Sequence, residues 1–424
     1  MHPEPNPQAF NFGALKIAPA ILQVLDRMKF TIPTPIQHQA IPVAIEGKDI
    51  IGIAQTGTGK TLAFGIPLLQ RLSAGKGRAL IVAPTRELAY QIEEALLPLA
   101  SSLHIQTAVF VGGASMNVQR AMLKRNPRIL IATPGRLNDH LEQGTVTLRE
   151  VNILILDEAD RMLDMGFKPQ IERILKHVPR ERQTMLFSAT MPQDIVKLAT
   201  VHMKLPLRIE VAPAGTAAAG VEQELFMVKK EEKIRLLEKL LQEYPGTVLV
   251  FSRTKHGAKK ITRSVRSMGH SAAEIHANRS LSQRREALEG FKSGKYRVLV
   301  ATDIAARGID VTGITAVINF DLPNAPEDYV HRIGRTGRAG LAGHAISFAS
   351  PDQSKEIRNI ERLLRSTLKK SPLPALPPPR AAVPHMEDRE EREHAPHQHH
   401  RPSYPSRTFR PQRRGHRPFR RRGR

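Results

Sequence analysis

The sequence predicts two tandem α/β domains, each built on a parallel sheet with helices on both faces, followed by a basic tail. Short runs that are apolar throughout alternate with longer amphipathic stretches, which is typical of strands covered on both faces. A stretch of small residues interrupts this alternation near the middle of the 424 residues, a length that suits two or three domains. Polar clusters directly follow the apolar runs, where ligands bind in such sheets.

The apolar runs give the predicted strands. In the first domain they lie at 50–54, 79–83, 129–132, 153–156 and 185–187, and in the second at 247–251, 297–301, 315–320 and 345–348. Helical patterns separate them, as in the segment from Glu87 to Leu97. This alternation predicts one parallel sheet in each domain.

Composition sets the domain boundaries. The charge-free segment 211–220 consists of small residues and one proline, so we interpret it as a flexible linker between a first domain at 1–210 and a second at 221–370. A proline-rich spacer then introduces the tail, 371–424, whose last 24 residues contain ten Arg and no acid. This tail has too little apolar surface to fold alone, so we expect it to be disordered.

The charge balance predicts a polyanionic partner. The chain has 64 Lys and Arg against 40 Asp and Glu, a net charge of +24, and nucleic acid or an anionic membrane surface fits this best. The absence of cysteine excludes thiol nucleophiles, disulfides and Cys-ligated metals. No apolar run reaches the roughly 18 residues of a membrane span, and the first residues lack a signal-peptide layout. We expect a cytoplasmic protein with no membrane partner.

A glycine-rich segment follows the first predicted strand and precedes a helix. Glycine backbone N–H groups turn around phosphate oxygens, and the helix N-terminus favours the same negative charge. In this arrangement a lysine reaches the terminal phosphates and the next hydroxyl binds Mg²⁺. The segment consists of Ala54, Gln55, Thr56, Gly57, Thr58, Gly59, Lys60 and Thr61. The strict phosphate-loop pattern has Gly where this chain has Ala54, and the alternative is a glycine-rich turn with no nucleotide.

Two acids directly follow the buried strand at 153–156. Mg²⁺ needs a carboxylate beside the phosphates, and Asp157 is placed to supply it. The adjacent Glu158 is then the candidate to orient or deprotonate the attacking water. Taken alone, these acids are also compatible with a solvated turn. Together with a phosphate loop 97 residues earlier, they predict a site for ATP and Mg²⁺.

The second domain supplies candidate arginines in the segment 331–338. Arg335 and Arg338 lie three residues apart, beside glycines, and arginines in this setting neutralise charge on a transferred phosphoryl group. The alternative is a basic patch that contacts only RNA phosphates. If these arginines act on the nucleotide, the two domains must close on each other, which makes the linker at 211–220 a hinge.

With these motifs in order, the chain resembles the DEAD-box ATP-dependent RNA helicases over about residues 10–350. The matching segments are FTIPTPIQ at 30–37, AQTGTGKT at 54–61, PTREL at 84–88, GG at 112–113, TPGR at 133–136, DEAD at 157–160, SAT at 188–190, VFSRTK at 250–255, QRREALEGF at 283–291, ATDIAARGID at 301–310 and HRIGRTGR at 331–338. The segment 276–280 and the basic tail are similar to the bacterial RhlE-like subgroup. The resemblance implies two RecA-like domains.

The resemblance also assigns nucleotide contacts. It implies that Phe30 stacks on adenine, that Gln37 binds the adenine edge, and that Phe12 is the isolated upstream aromatic of this motif. It implies that Asp310 binds the ribose. At Lys29 the chain departs from the family, which has Gly there, so a backbone with positive φ would be strained at this position.

For RNA, the resemblance implies contacts to the sugar–phosphate backbone with little sequence preference. The residues that match are Arg86, Gly113, Thr133 and Arg136 in the first domain and Arg253, Gln283, Arg284, Thr302 and Gly308 in the second. Leu281 stands where related chains often carry Gln, which weakens the assignment just before Gln283. Ser188 and Thr190 resemble the segment that couples hydrolysis to strand separation, and His331 the residue that links the nucleotide site across the cleft.

We therefore expect an ATP-dependent RNA helicase that unwinds short duplexes locally, with the tail retaining RNA. One alternative is a helicase that acts on DNA, and another is an ATP-gated RNA clamp or annealing chaperone. For the tail, the alternative is a solubilising end. Protein partners in ribosome assembly or RNA decay are compatible with this expectation.

Overall fold

Two parallel β-sheets of seven strands each form the framework of the molecule. The structure is a computed structural model that describes residues 11–54, 57–211, 221–306, 311, 313–337 and 342–379. We call 11–211 the first lobe and 221–379 the second lobe. The linker residues 212–220 and the tail residues 380–424 lie outside the described residues, so the predictions made for them stay predictions.

The first lobe carries the strand order β3-β4-β2-β5-β6-β1-β7. Its strands are β1 (Ile50–Ile53), β2 (Arg78–Val82), β3 (Thr107–Phe110), β4 (Ile129–Ala132), β5 (Val151–Leu156), β6 (Gln183–Ser188) and β7 (Leu207–Glu210). Its helices are α1 (Pro19–Arg27), α2 (Pro35–Ile45), α3 (Lys60–Ala74), α4 (Arg86–Ser102), α5 (Met116–Leu123), α6 (Pro134–Glu142), α7 (Ala159–Asp164), α8 (Lys168–His177) and α9 (Gln193–His202). A short 3₁₀ helix, Phe12–Leu15, precedes them.

The second lobe repeats this plan with the order β10-β11-β9-β12-β13-β8-β14. Its strands are β8 (Val221–Met227), β9 (Val248–Phe251), β10 (Ala272–Ile275), β11 (Val298–Ala301), β12 (Ala316–Asn319), β13 (Gly343–Ala349) and β14 (Lys369–Ser371). Its helices are α10 (Lys233–Glu243), α11 (Lys255–Ser267), α12 (Leu281–Lys292), α13 (Asp303–Ala306), α14 (Pro326–Ile333) and α15 (Ser354–Leu364). A 3₁₀ turn, Pro351–Gln353, leads into α15.

Each sheet is buried on both faces because successive side chains of a strand point to opposite sides. In β1, Ile50 packs into the core under one face, whereas Ile51 and Ile53 pack into the core under the other. Both cores exclude water, so the strands are apolar throughout, as the sequence pattern indicated. The prediction of two parallel-sheet α/β domains is confirmed.

The C-terminal boundary of the second lobe differs from the prediction. The compact unit that contains both sheets ends at Pro378, not at residue 370. Strand β14 pairs with β8, and Leu376 packs against the core of the second lobe. The Arg235 guanidinium on α10 donates to the carbonyl oxygens of Pro377, at 2.6 Å, and Leu376, at 3.4 Å. The proline-rich segment 371–378 is therefore part of the fold.

Candidate functional site

Most of the polar segments singled out in the sequence follow carboxyl ends of parallel strands, so within each lobe these segments share one edge of the sheet. In the first lobe they follow β1, β2, β3, β4, β5 and β6, and in the second they follow β9, β11 and α14. This edge is where the two candidate halves of a site are found.

The glycine-rich loop between β1 and α3 has the geometry of a phosphate cradle. Gly57 and Gly59 both have positive φ, 85° and 89°. A Cβ atom at Gly59 would come within 2.4 Å of the Gln37 amide nitrogen, so only glycine fits there. Helix α3 begins at Lys60, which directs its N-terminus at the loop. Gln55 and Thr56 lie outside the described residues.

Lys60 lies inside this loop with 6% of its surface exposed. Its ammonium donates to the Ala54 carbonyl oxygen at 3.0 Å, across the loop. A buried ammonium binds an anion strongly, because charge-assisted hydrogen bonds are about twice as strong as neutral ones. Thr61 follows in the first turn of α3, and Thr58 lies in the loop itself.

Gln37 joins helix α2 to the loop. Its side-chain oxygen accepts from the Thr34 backbone N–H at 2.9 Å, and its side-chain nitrogen donates to the Gly59 carbonyl oxygen at 3.0 Å. An amide has two N–H groups and two acceptor lone pairs, so these two hydrogen bonds do not use its full capacity. The structure thus gives Gln37 a role in holding the loop that the sequence did not predict.

The two aromatic residues predicted to serve the nucleotide differ in their surroundings. Phe30 is 41% exposed, which suits a ring that stacks on a ligand and excludes a role in the core. Phe12 is 4% exposed and packs within the core of the first lobe. Its contact with the nucleotide stays a prediction. Lys29 has a φ of 61°, and the strain predicted at this departure from the family is present.

The paired acids follow β5 and are both 2% exposed. Asp157 accepts from the Glu158 backbone N–H at 2.9 Å, and burial raises the pKa of Asp157 to about 6. Burial would also raise the pKa of Glu158, but the charge of Arg161, with smaller effects of Lys60 and Arg335, lowers it well below its usual range. Glu158 is therefore ionised at neutral pH.

The third acid of this segment, Asp160, was not predicted as a site residue. One of its carboxylate oxygens accepts from the backbone N–H of Ala189 at 3.1 Å and from the N–H and hydroxyl of Thr190, each at 2.8 Å. Its own N–H donates to the Ser188 hydroxyl at 3.3 Å, and that hydroxyl donates to the Thr190 carbonyl at 2.7 Å. Ser188 and Thr190 are thus tied directly to the acids, and the spacing from Asp157 was the available signal.

In the second lobe, helix α14 and the turn after it bring the candidate arginines to the site. Arg335 is 2% exposed and donates to the His331 carbonyl oxygen at 3.2 Å. Arg332 is 1% exposed and binds both carboxylate oxygens of Asp303, at 2.5 and 2.7 Å, as well as the Asp321 carbonyl at 2.6 Å. Arg332 thus fixes the loops around Arg335. Arg338, Gly308 and Asp310 lie outside the described residues.

The two halves meet at a small polar cavity of about 10 Å³. It is lined by Arg161 from the first lobe and by Phe251, Asp303, Asp328, His331, Arg332 and Arg335 from the second. Burial, and then the charge of Arg161, lower the pKa of His331 to about 3, so its imidazole is neutral at pH 7. Arg161 is paired with Glu158 and lines the same cavity as Arg335, so the cavity lies between the acid of the first lobe and the arginine of the second.

The predicted RNA contacts of the first lobe form one cluster. A Cβ atom at Gly113 would come within 2.2 Å of the Arg86 guanidinium, and Gly113 has a φ of 79°, so glycine is needed there for two reasons. Arg136 donates to the carbonyl of the next residue, Ala114, at 2.9 Å. Thr133 precedes α6 as its N-cap. These residues follow β2, β3 and β4 and lie side by side.

In the second lobe two of the residues predicted to contact RNA also have partners within the protein. Gln283 accepts from the Ser280 backbone N–H at 3.0 Å and so caps α12. Arg284 is 8% exposed and pairs across the lobes with Glu87 at 2.8 Å. Contact of these two residues with RNA stays a prediction.

Arg253 and Thr302 remain as candidates for RNA contact. Arg253 is exposed, with its backbone N–H bound to the Asp321 carboxylate at 3.1 Å. Thr302 follows β11 and is half-buried, and its N–H donates to the Ile275 carbonyl oxygen at 3.2 Å. Both therefore lie at the carboxyl edge of the second sheet.

Comparisons with known proteins match this site. Residues 34–198 match the DEAD/DEAH box helicase domain, and residues 232–340 match the helicase conserved C-terminal domain. The chain is 41% identical over 368 residues to the DEAD-box ATP-dependent RNA helicase CshA of Geobacillus kaustophilus, covering 86% of this chain and 79% of the relative. It is 43% identical over 368 residues to the ATP-dependent RNA helicase DbpA of Bacillus subtilis, covering 86% and 77%.

Solved structures agree with this match. S. cerevisiae Dbp5 bound to RNA and ADP BeF3 is similar with a TM-score of 0.79 and 30% identity, over 86% of this chain and 96% of that chain. Mss116p bound to ssRNA and AMP-PNP gives a TM-score of 0.78 and 29% identity, over 86% and 78%. Among the described helices, none has the length and apolar composition needed to span a bilayer.

The fold and the site define a two-lobed nucleoside triphosphatase with a phosphate loop in one lobe and facing arginines in the other. At this level of identity and coverage, the chain belongs to the DEAD-box ATP-dependent RNA helicase family, whose activity is RNA-dependent ATP hydrolysis. The resemblance found in the sequence is confirmed, with ATP as the nucleotide and RNA as the partner. The RhlE-like subgroup stays a prediction.

Proposed function

We propose that this chain hydrolyses ATP in a crevice between its lobes and uses the closed arrangement to unwind short RNA duplexes locally. The observation that carries the proposal is the polar cavity, where Arg161 beside Glu158 faces His331 and Arg335. Residues of both lobes are needed to complete this site, so occupancy by ATP favours the closed form. RNA bound along both lobes favours the same form, and each ligand should therefore tighten the other.

The roles of the side chains follow from their positions. Lys60 binds the terminal phosphates, the exposed ring of Phe30 stacks on adenine, and Gln37 holds the phosphate loop. Glu158 accepts the proton of the attacking water, whose oxygen bonds to the γ-phosphorus while the bond to the ADP oxygen breaks. Arg335, and by family resemblance Arg338, stabilise the charge that develops on the transferred group.

Mg²⁺ is the metal that this site fits. Asp157 is a buried carboxylate and Thr61 a hydroxyl beside the phosphate loop, and Mg²⁺ prefers such oxygen donors. No cluster of three or more His, Asp or Glu suited to a metal occurs among the described residues, so protein ligands alone do not enclose an ion. When bound, Mg²⁺ would neutralise phosphate charge, with Asp157 and Thr61 holding it directly or through water.

RNA is proposed to run across Arg86, Gly113, Thr133 and Arg136 of the first lobe and Arg253, Thr302 and Gly308 of the second. Glycine amides, hydroxyls and guanidinium groups suit phosphate and 2′-OH contacts and read no base sequence. A path that accepts only a bent single strand separates one strand of a duplex when the lobes close. We further propose the cytoplasm as the compartment and ribosome-assembly or RNA-decay factors as the class of protein partner.

The test measures ATP turnover with and without RNA and follows strand release from a short duplex. Glu158→Gln should keep ATP binding but lower turnover by about 100-fold or more, because the neutral amide accepts no proton. Glu142→Gln, at an exposed position on α6, is the matched control and should turn over like the wild type. A wild-type rate that RNA leaves unchanged would contradict the proposal.

Two alternatives have their own readouts. Unwinding of all-DNA duplexes at the rate of RNA duplexes would favour the DNA helicase, since contacts to the 2′-OH would then contribute nothing to substrate recognition. RNA retention and strand annealing without multiple turnover would favour the clamp or chaperone. The cavity lined by Arg161, which is paired with Glu158, and by Arg335 favours multiple turnover.

A further inference from the structure

Arg161 is a buried arginine next to the catalytic acids. Its side chain is 4% exposed, and its Nη1 donates to Oε2 of Glu158 at 2.7 Å. Glu158 is the N-cap of α7 and Arg161 lies three residues further on, so both side chains are on one side of the first turn. The Glu158 backbone has a φ of 51°, in the left-handed region.

This ion pair leaves the two carboxylate oxygens of Glu158 unequal. Oε2 is held by Arg161, whereas Oε1 is buried and has no hydrogen-bond partner among the described residues. Leaving a buried carboxylate oxygen unpaired is unfavourable, so we expect a ligand to donate a hydrogen bond to it. A general base must lie within hydrogen-bond reach of the proton that it takes, and Oε1 is the oxygen left for that proton.

Arg161 also faces the other lobe. It is the residue of the first lobe that lines the polar cavity, opposite Asp328, His331 and Arg335. Burial would lower the pKa of Arg161, but the charge of Glu158, and to a smaller extent that of Asp328, raises it. The guanidinium is thus attracted to acids of both lobes.

We propose that Arg161 is a positioning residue that holds one oxygen of Glu158 so that the other meets the attacking water, and that Asp328 makes this orientation depend on lobe closure. When the lobes separate, Arg161 loses the attraction of Asp328, and Glu158 is held less firmly. RNA-driven closure then increases turnover partly by orienting the base. This inference rests on the proposed ATP hydrolysis and assigns to it two further residues.

The experiment compares Arg161→Gln, Arg161→Lys, Asp328→Asn and the double variant Arg161→Gln/Asp328→Asn in the full chain, with RNA-stimulated kcat and the KM for ATP as readouts. General-base catalysis contributes about 100- to 10,000-fold, so losing the orientation alone should cost Arg161→Gln about 10- to 100-fold in kcat. The KM for ATP should stay within about threefold, because Arg161 is proposed to act through Glu158 and not on the nucleotide. Arg161→Lys keeps the charge and should recover part of the loss.

Asp328→Asn should lower RNA-stimulated kcat by a smaller factor, and the double variant should be no slower than Arg161→Gln alone. Such non-additivity is expected of two residues that act through one contact. Arg173→Gln, which removes an exposed arginine paired with Glu142, is the matched control and should behave like the wild type. If thermal melting shows that Arg161→Gln does not fold, the RNA-stimulated kcat values of Arg161→Lys and Asp328→Asn test the inference instead.

Three outcomes would overturn the inference: a wild-type kcat for Arg161→Gln, a loss that appears only in KM, or losses for Arg161 and Asp328 that simply multiply. Failure of the proposed function is distinguishable from all three, since it would appear as a wild-type chain without RNA-stimulated turnover.

Discussion

Lys29 has a backbone conformation that favours glycine. It follows helix α1, and its N–H donates to the Asp26 carbonyl oxygen at 2.9 Å, which closes the last turn with a φ of 61°. Lysine in this left-handed region has a Cβ that crowds the carbonyl oxygen, at a cost of roughly 1–2 kcal/mol. The next residue is Phe30, so the strain lies beside the proposed adenine contact.

Lys29→Gly should raise the free energy of unfolding by about 0.5–1 kcal/mol, because relief of the strain exceeds the greater backbone entropy that glycine loses on folding. Urea denaturation followed by circular dichroism measures it. Lys29→Ala keeps the Cβ and should bring no gain, so equal stabilities of the two variants would contradict the explanation.

Candidate site residues that lie in a sequence motif could be proposed from the sequence. Contacts between residues far apart in the chain could not. The sequence indicated Lys60, Asp157 and Glu158, since each follows a buried strand or loop at a fixed spacing. Arg161 carries no such signal, because its role requires the cavity that the second lobe completes. The ion pair of Arg284 with Glu87 is a second such case, because the sequence shows the charge of Arg284 but not the side chain that pairs with it.

At the scale of elements, the predicted strands were those inside the sheets. Five strands were missed: β3, β7, β10 and β14, which are the edge strands, and β8, which lies next to an edge. Strands β7 and β14 are covered incompletely, so their sequences need not be apolar throughout, whereas β3 and β10 are largely buried but each includes a polar residue, Thr107 and Glu274. In β7 only Ile209 is buried, and β14 consists of two lysines and a serine. The period of the apolar pattern therefore identifies central strands and not edges.

Helix α6 carries a histidine whose titration should affect stability. His140 is fully buried, its ring nitrogens lie 2.7 Å from the Thr145 hydroxyl and 3.1 Å from the Gln119 amide oxygen, and burial lowers its pKa. The unfolded chain therefore binds a proton below about pH 6.5 that the folded chain resists, and stability falls as the pH drops through this range.

Thermal melting at pH 7.5 and pH 5.5 measures this effect. The melting temperature of His140→Asn should fall less over this range than that of the wild type, because the variant lacks the group whose protonation favours the unfolded chain. His177→Asn, on the exposed surface of α8, is the control and should keep the wild-type drop. An unchanged pH dependence for His140→Asn would remove His140 as a cause.

The docked proline-rich segment makes a second prediction at this scale. A chain that ends at residue 370 loses Leu376 from the core and the two carbonyl oxygens that Arg235 binds, whereas a chain that ends at 379 keeps both. The shorter chain should be less stable by about 1–3 kcal/mol, from lost apolar burial and unpaired hydrogen bonds. Equal urea midpoints for the two chains would show that the segment adds nothing.

At the scale of the whole molecule, the lobes are joined by contacts outside the nucleotide site as well. Glu87 pairs with Arg284 at 2.8 Å, and the Arg285 guanidinium lies 3.8 Å from the centre of the Tyr90 ring. Both contacts link α4 to α12, next to the proposed RNA path. The two-lobe plan was predictable from the sequence, but these contacts were not, because they join positions almost 200 residues apart.

The basic tail leads to a prediction about RNA binding by the whole molecule. Residues 380–424 contain 13 Arg and five acids, a net charge of +8, so their removal should weaken RNA binding and flatten its dependence on salt. The slope should fall by about 0.7 for each single-strand phosphate contact that is lost. Titrations of a labelled RNA at several salt concentrations measure this with the chain that ends at 379, which should keep its ATPase rate without RNA. An unchanged slope would favour a solubilising tail.

The exposed ring of Phe30 also offers a spectroscopic handle on nucleotide binding. The chain contains no tryptophan, so Phe30→Trp would place the sole indole emitter at the proposed adenine contact. Stacking on a purine quenches indole emission, and the signal would follow arrival and departure of the nucleotide in real time without an attached dye. A solvent-facing aromatic in an otherwise tryptophan-free protein thus makes the order of the steps in the cycle accessible to stopped-flow fluorescence.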